Sequence, residues 1–270
     1  MKKIYNKTYN INSKLNKNIV LISDLHYSNK EDLDRLNLVL KSIKKLNPNF
    51  ICIPGDIINE SKILDEDLFI EWLKKLSNIS KVIISIGNHE FYINKGKKIF
   101  GLNKEFFNKI SSIDNVSLLN NENIIIDNIN FIGITIPMDY YFDEKNKLEG
   151  FKSLIDKLNI NKKLYNILLC HSPINICYKD NLKDSNIDLV LCGHMHGGVV
   201  FNFLRPIFKN RGIISPHKKL FPKNVYGHIK IENTDVIITS GVKVLPYKNL
   251  TKLFKPEVVN INLTFNKKRV

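Results

Sequence analysis

The chain has 270 residues, of which 43% are hydrophobic, enough to bury a full α/β core without disulfide staples. Its 41 Lys and Arg against 26 Asp and Glu give a formal charge of +15. Only Arg35, Arg205, Arg211 and Arg269 are arginines, the residue suited to planar phosphate recognition, so this lysine-rich bias does not by itself assign a polyanionic partner. No apolar run approaches the length of a membrane span. The basic start Met1-Lys2-Lys3-Ile4-Tyr5-Asn6-Lys7 lacks the apolar stretch of a secretory leader. These features predict a cytoplasmic protein whose contact with a membrane is at most peripheral. Cys52, Cys170, Cys177 and Cys192 show no CxxC spacing, and three of them sit in or at the end of apolar runs, as buried thiols in a reducing compartment do.

In chain order, residues 4–12 alternate as a strand, and 18–23 form a short β-branched run read as a buried strand. That run ends in Asp24-Leu25-His26. Leu33, Leu36, Leu40 and Ile43 recur at helical spacing over 31–46, until Asn47-Pro48 stops the helix. A strand at 50–54 runs into Gly55-Asp56. A helix over 65–76 follows, with Leu68, Trp72 and Leu76 read as its apolar side, and then a strand over 81–86 closes in Gly87-Asn88-His89-Glu90. This β-α-β-α-β order predicts a parallel sheet with crossover helices.

Residues 91–115 are basic and glycine-punctuated, with a short helix at 104–110; 122–136 reads as a hairpin and 151–158 as a helix. A buried strand over 164–170 ends in His171-Ser172-Pro173, and one over 187–192 leads into Gly193-His194-Met195-His196-Gly197-Gly198. Strand alternation would turn both imidazoles of this His-x-His pair to one side. Residues 226–231 and 236–239 pair as strands, and 257–265 alternates as the last one. With no internal repeat or low-complexity linker, one domain over 1–270 is the simplest organisation.

Five strand-end loops thus carry Asp24 and His26, Asp56, Asn88 and His89, His171, and His194 and His196. They hold five of the seven histidines. Strand carboxyl ends are where α/β folds place their sites. Each residue alone has a plain structural reading: Asp24 or Asp56 as a helix N-cap, His171 as a satisfied loop histidine, Gly55 and Gly87 as tight turns. Together they form a mixed carboxylate, amide and imidazole set suited to Mn, Fe, Zn or Ni, and too rich in nitrogen for a Ca²⁺ or Mg²⁺ cage.

The ordered blocks Asp-x-His, Gly-Asp, Gly-Asn-His-Glu, His and Gly-His-x-His resemble the calcineurin-like metallophosphoesterases. Their flanks, with Phe221-Pro222-Lys223 and Ser240-Gly241, are most similar to the YkuE-type and YaeI-type bacterial branch. The resemblance implies a four-layer α/β/β/α sandwich and two divalent ions. Asp24, His26, Asp56 and His196 would hold one ion, and Asp56, Asn88, His171 and His194 the other. It also implies a phosphate-ester substrate hydrolysed by a metal-activated hydroxide, with His89 beside the leaving group and Asp24 orienting it. Glu90 is read as a supporting residue, His217 and His228 as structural or substrate-loop residues.

The segment 199–224 mixes Phe201, Phe203, Leu204, Ile207, Phe208 and Phe221 with Arg205, Lys209, Arg211, Lys218 and Lys219. It is read either as an aromatic and basic loop for a lipid or sugar-lipid phosphate at a membrane surface, or as a cover loop with a small core of its own. A nuclease or nucleotide phosphodiesterase is the competing enzymatic reading. A non-catalytic scaffold fits poorly with an intact ligand set, and no stable nucleic-acid partner is expected.

Overall fold

The computed structural model describes residues 4–59, 65–94, 99–102, 104–142, 149–158, 160–177, 179–216, 218–243 and 256–265. Its first half runs β1 (Tyr5–Asn12), β2 (Lys17–Leu21), α1 (Leu33–Leu46), β3 (Phe50–Pro54), α2 (Glu66–Ser77), β4 (Lys81–Ser85), β5 (Phe91–Asn94), β6 (Ile99–Leu102), α3 (Lys104–Ser111) and β7 (Val116–Leu119). The second half adds β8 (Glu122–Ile126), β9 (Ile129–Ile134), α4 (Asp139–Phe142), α5 (Glu149–Asp156), β10 (Tyr165–Cys170), α6 (Pro173–Ile176), α7 (Lys179–Leu182), β11 (Leu189–Cys192), α8 (Arg205–Phe208), β12 (Gly227–Ile231), β13 (Thr234–Ile238) and β14 (Glu257–Thr264).

The strands form two six-stranded sheets, in the orders β1-β14-β2-β3-β4-β7 and β12-β13-β11-β10-β9-β8. Strands β2, β3, β4 and β7 run parallel, as do β9, β10, β11 and β13. Strands β3 and β11 are apolar at every position because both faces of each sheet are covered. Ile19, Leu21, Phe50, Cys52 and Ile83 meet Phe131, Ile167, Leu169, Leu189 and Leu191 between the sheets. The alternate residues Val20, Ile51, Ile53 and Val82 face outward against Leu36, Trp72 and Phe106 of α1, α2 and α3. Leu168, Val190 and Val236 face the other way, against Ile155, Ile176 and Leu182 of α5, α6 and α7. Helices therefore cover both outer faces, giving the four-layer α/β/β/α sandwich.

Helix α1 buries Leu36, Val39, Leu40 and Ile43, and Asn47 ends it in the left-handed region (φ 44°), its N–H donating to Ile43 O at 3.2 Å. In α2 the apolar stripe is Phe69, Trp72, Leu73 and Leu76, and Leu68 is 41% exposed. Leu68 was expected in the stripe, but at about 100° per residue it lies roughly a quarter turn from the stripe's centre. The hairpin β5–β6 was not foreseen in the basic stretch after residue 91, where residues 95–98 lie outside the described set. Among the described residues no helix is long and apolar enough to cross a membrane.

Phe131 is fully buried between the sheets, its ring 4.9 Å from that of Phe50. Phe131→Ala is expected to lower stability by about 3–5 kcal/mol, read from the urea midpoint at unchanged m-value.

Candidate metal centre

At the carboxyl ends of β2, β3 and β11 the chain turns through the left-handed region at Asp24 (φ 52°), His26 (44°), Asp56 (53°), His194 (67°) and His196 (44°). Each such non-glycine residue costs about 1–2 kcal/mol. A lattice of main-chain bonds holds them. Asp24 N donates to Gly55 O (3.3 Å), His26 N to Asp56 O (3.0 Å), Gly193 N to His171 O (2.9 Å), and Lys243 N to Asp24 O (2.9 Å). The His-x-His pair therefore does not follow strand alternation, since β11 has already stopped at Cys192. Its two imidazoles part instead, with His194 beside His171 (ring centroids 5.1 Å apart) and His196 beside His26 (5.3 Å).

Two ligand groups result, Asp24-His26-His196 and Asp56-His171-His194, and Asp56 also groups with His26 and His89. The Asp56 carboxylate joins the two sides: its Oδ2 is 3.0 Å from His171 Nε2 and 3.7 Å from His26 Nε2. Asp24 Oδ1 stands 3.8 Å from Nε2 of both His26 and His196. Asn88 Oδ1 and His171 Nε2 are buried without a hydrogen-bond partner among the described residues. Nδ1 of His171 lies 2.7 Å from Pro54 O and donates to it, which turns Nε2 toward the Asp56 carboxylate oxygen. With Nε2 deprotonated, two acceptors face each other there, a pairing that a metal cation relieves. The donor set fits a divalent metal.

Burial and neighbouring charge act differently on the ligand residues. Burial and the neighbouring His196 hold His26 well below its ordinary range against the pull of Asp56, so it stays neutral and able to coordinate. For His171 burial works downward, but Asp56 outweighs it and brings the group up to about 10. Burial would raise Asp56, yet His171, His26 and His89 hold it well below the usual carboxylate range.

Supporting contacts fix these groups. Both oxygens of Asp24 accept the backbone N–H of His194, at 3.1 Å. A Cβ on Gly193 would collide with the Asp24 carboxylate and Ser23, so only glycine fits there. Nδ1 of His89 lies 2.9 Å from Asn59 O, and its backbone N–H donates to Asp56 Oδ1 at 2.9 Å. The carbonyl of Asn59 thus holds the place expected for Asp24 as the orienting group of His89. Asp24 is already engaged with His194.

Glu90 lies buried under the Asp56 turn. One oxygen accepts from Ile57 N (2.7 Å) and Ile58 N (3.3 Å), the other from Asp56 N (2.9 Å) and Gly87 N (2.5 Å). Burial and then Asp56 push its carboxyl up to about 7, while those N–H groups act in the opposite direction.

Sequence reasoning missed Tyr141. Its buried hydroxyl has no partner among the described residues, its ring is 5.2 Å from that of His194, and burial with Asp56 raises its pKa. The signal available was its place just beyond β9, the parallel neighbour of β10. His228 pairs with Asp235 at 2.7 Å, away from the ligands, and His217 lies outside the described residues.

Two carboxylate and imidazole groups joined by one aspartate, over the strand ends of a double-sheet sandwich, define a metal-dependent class of protein. The profile of the calcineurin-like phosphoesterases matches residues 17–198, and the chain belongs to that family. It is 30% identical over 190 residues to an uncharacterized metallophosphoesterase of Helicobacter pylori, covering 68% of this chain and 46% of that protein. It is 27% identical over 251 residues to the uncharacterized metallophosphoesterase YkuE of Bacillus subtilis, covering 91% of this chain and 78% of YkuE. The chain thus spans about half the length of the Helicobacter relative and most of YkuE. Among solved structures, a purple acid phosphatase from yellow lupin aligns with 94% of this chain and 55% of its own, at 10% identity and TM-score 0.47.

In Glu90→Gln the amide NH₂ would face two of the four N–H donors that the carboxylate now accepts. The substitution is expected to destabilise the metal-free protein by about 3 kcal/mol, measured by chemical denaturation.

Proposed function

We propose that the chain is a metal-dependent phosphohydrolase that cleaves a phosphodiester or phosphomonoester. The observation that carries this reading is the position of Asp56, whose carboxylate lies within 4 Å of His171 on one side and His26 on the other. Asp24, His26, Asp56 and His196 would hold one divalent ion, and Asp56, Asn88, His171 and His194 a second. The mixed O and N donors favour Mn, Fe, Zn or Ni. When bound, two such ions neutralise phosphate oxygens and make a hydroxide available near neutral pH.

The protein's own groups supply the rest. With Nδ1 committed to Asn59 O, a protonated His89 presents its second proton on Nε2, where it can meet the leaving oxygen. Asp56 receives the His89 N–H on Oδ1, so the same carboxylate sets the distance from His89 to both ligand groups. The buried Tyr141 hydroxyl offers a neutral donor beside His194.

The segment after the His-x-His turn supports a substrate at a membrane surface, a lipid or sugar-lipid phosphate. Phe203 (76%), Ile207 (75%), Leu220 (65%) and Phe221 (65%) are exposed, among the exposed cations Lys209, Arg211, Lys218 and Lys219. Apolar tips with a basic surround suit an anionic interface. The free cysteines Cys52, Cys170, Cys177 and Cys192 support a reducing, cytoplasmic setting.

Chelator-treated protein reloaded with Mn²⁺ is expected to hydrolyse bis(p-nitrophenyl) phosphate or p-nitrophenyl phosphate. Asp56→Ala should abolish the activity and His89→Ala should reduce it by about 10²–10⁴. Hydrolysis of neither ester with any of the four metals, or full activity in Asp56→Ala, would overturn the enzymatic reading. Cleavage of single-stranded DNA in preference to both esters would favour the nuclease alternative.

The lipid reading is checked separately, by sedimentation with anionic phosphatidylglycerol vesicles. The parent chain should co-sediment and Phe203→Ser/Phe221→Ser should stay in the supernatant. Failure of the parent chain to sediment would remove the membrane-surface substrate.

A further inference from the structure

A cavity of about 620 Å³ lies along the open edge of the sandwich, between the edge strands β1 and β12 and under α8. Lys7 and Tyr9 of β1, Arg205 and Lys209 at the two ends of α8, and Tyr226 and His228 at β12 line it. None of these six is a candidate metal ligand. Strand β14 separates β1 from β2, and β13 separates β12 from β11, so the cavity sits apart from the ligand groups.

Its chemistry is cationic and aromatic together. The buried Arg205 guanidinium stacks on the Tyr226 ring with Cζ 4.0 Å from the centroid, and its Nη1 donates to Gly197 O at 2.6 Å. No other hydrogen bond engages that guanidinium among the described residues, which leaves donors for an incoming anion. Lys7 Nζ stands 5.4 Å from the Tyr9 centroid, and Tyr9 meets His228 edge-to-face at 5.8 Å. Burial and Glu257 raise the pKa of Tyr9, keeping its hydroxyl a neutral donor.

The nearby carboxylates are already committed. Asp235 pairs with His228 at 2.7 Å, and Glu257 accepts from Tyr226, Thr239 and Ser240. The cavity's own lining carries Lys7, Arg205 and Lys209 beside tyrosine faces, with no carboxylate among the described lining side chains. Planar cations match phosphate oxygens in pairs, and tyrosine rings stack on planar groups. The volume falls within the range of small-ligand sites, about 300–1,000 Å³.

We propose that this cavity is a second binding site, separate from the metal centre, for a small phosphorylated molecule carrying a planar ring. Arg205 and Lys209 take the phosphate from one wall, Lys7 takes it from the other, and the tyrosines take the ring. The site touches the metal-centre loops at Arg205. Gly197, whose carbonyl Arg205 holds, follows His196 directly, and a Cβ on Gly197 would collide with the guanidinium.

Titration calorimetry with ADP, adenosine and inorganic phosphate, on the full chelator-treated chain, tests the site without any reliance on catalysis. ADP should bind with one-to-one stoichiometry, and adenosine and phosphate should each bind at least about tenfold more weakly. Lys7→Glu/Lys209→Glu should weaken ADP by about tenfold or more, while the pair Lys74→Glu/Lys75→Glu on α2, which packs on β4 rather than β1, and the metal-ligand variant Asp56→Asn leave it unchanged.

Absence of ADP binding would overturn the proposal. So would an equal loss in both lysine pairs, which would mean non-specific attraction, or a loss in Asp56→Asn, which would move the ligand to the metal centre. Thermal unfolding of each variant separates loss of binding from loss of fold.

Discussion

The site is built around a buried negative charge that the fold must keep in place. Asp56 sits in a left-handed turn at the end of β3, out of contact with water, and its carboxylate is shared among His171, His26 and the N–H of His89. Removing such a group from water is expensive unless positive charge and donors meet it. The surrounding residues divide that task. Imidazoles and a metal supply the compensation on the open side, and Glu90 fixes the backbone from beneath. A second carboxylate below the first would repel it. Its own oxygens are instead spread over four main-chain N–H groups, which turns the repulsion into a constraint on where the Asp56 loop can go.

The two sheets make that arrangement possible because their strand ends meet at one end of the sandwich. Loops from β2, β3 and β4 approach from one sheet and loops from β10 and β11 from the other, and the Gly193 N–H to His171 O bond joins neighbours within the second sheet. The bond from His194 N to Asp24 crosses between sheets. Two of the three ligand groups draw on both sheets: Asp24 and His26 need His196, and His171 and His194 need Asp56. The site is therefore a measure of how well the sandwich is closed.

Much of this was legible in the residues. Short apolar runs ending in Asp, Asn or His mark strands buried on both faces with polar ends, and the crossover order follows from helical spacing such as Leu36, Leu40 and Ile43. Other features depend on contacts far apart in sequence. The separation of His194 from His196 arises from left-handed turns that strand periodicity does not describe. The contact of His89 with Asn59 joins residues 30 apart, through a loop with no motif. Leu68 looks apolar on paper but falls outside the arc that α2 presents to the sheet. Tyr141 has no spacing signal and becomes visible only once β9 is placed beside β10. The edge cavity is further from reach, since it needs β1, α8 and β12 to be neighbours.

The insertion of β14 between β1 and β2 has a consequence for biosynthesis. Among the described residues strand β1 has no partner in its sheet other than β14, which pairs with it over eight residues, Tyr5 with Glu257 through Asn12 with Thr264. On a ribosome β1 thus stays without this partner until residues 257–264 have been made. The same strand delivers Glu257, which binds Ser240 N and, through its own N–H, the Gly241 carbonyl beside Asp24. The ligand loops are in this way locked late, by a closing strand, and such long-range pairing slows folding. A nascent chain stalled before residue 257 would carry every candidate ligand yet lack the strand that holds Asp24 against them.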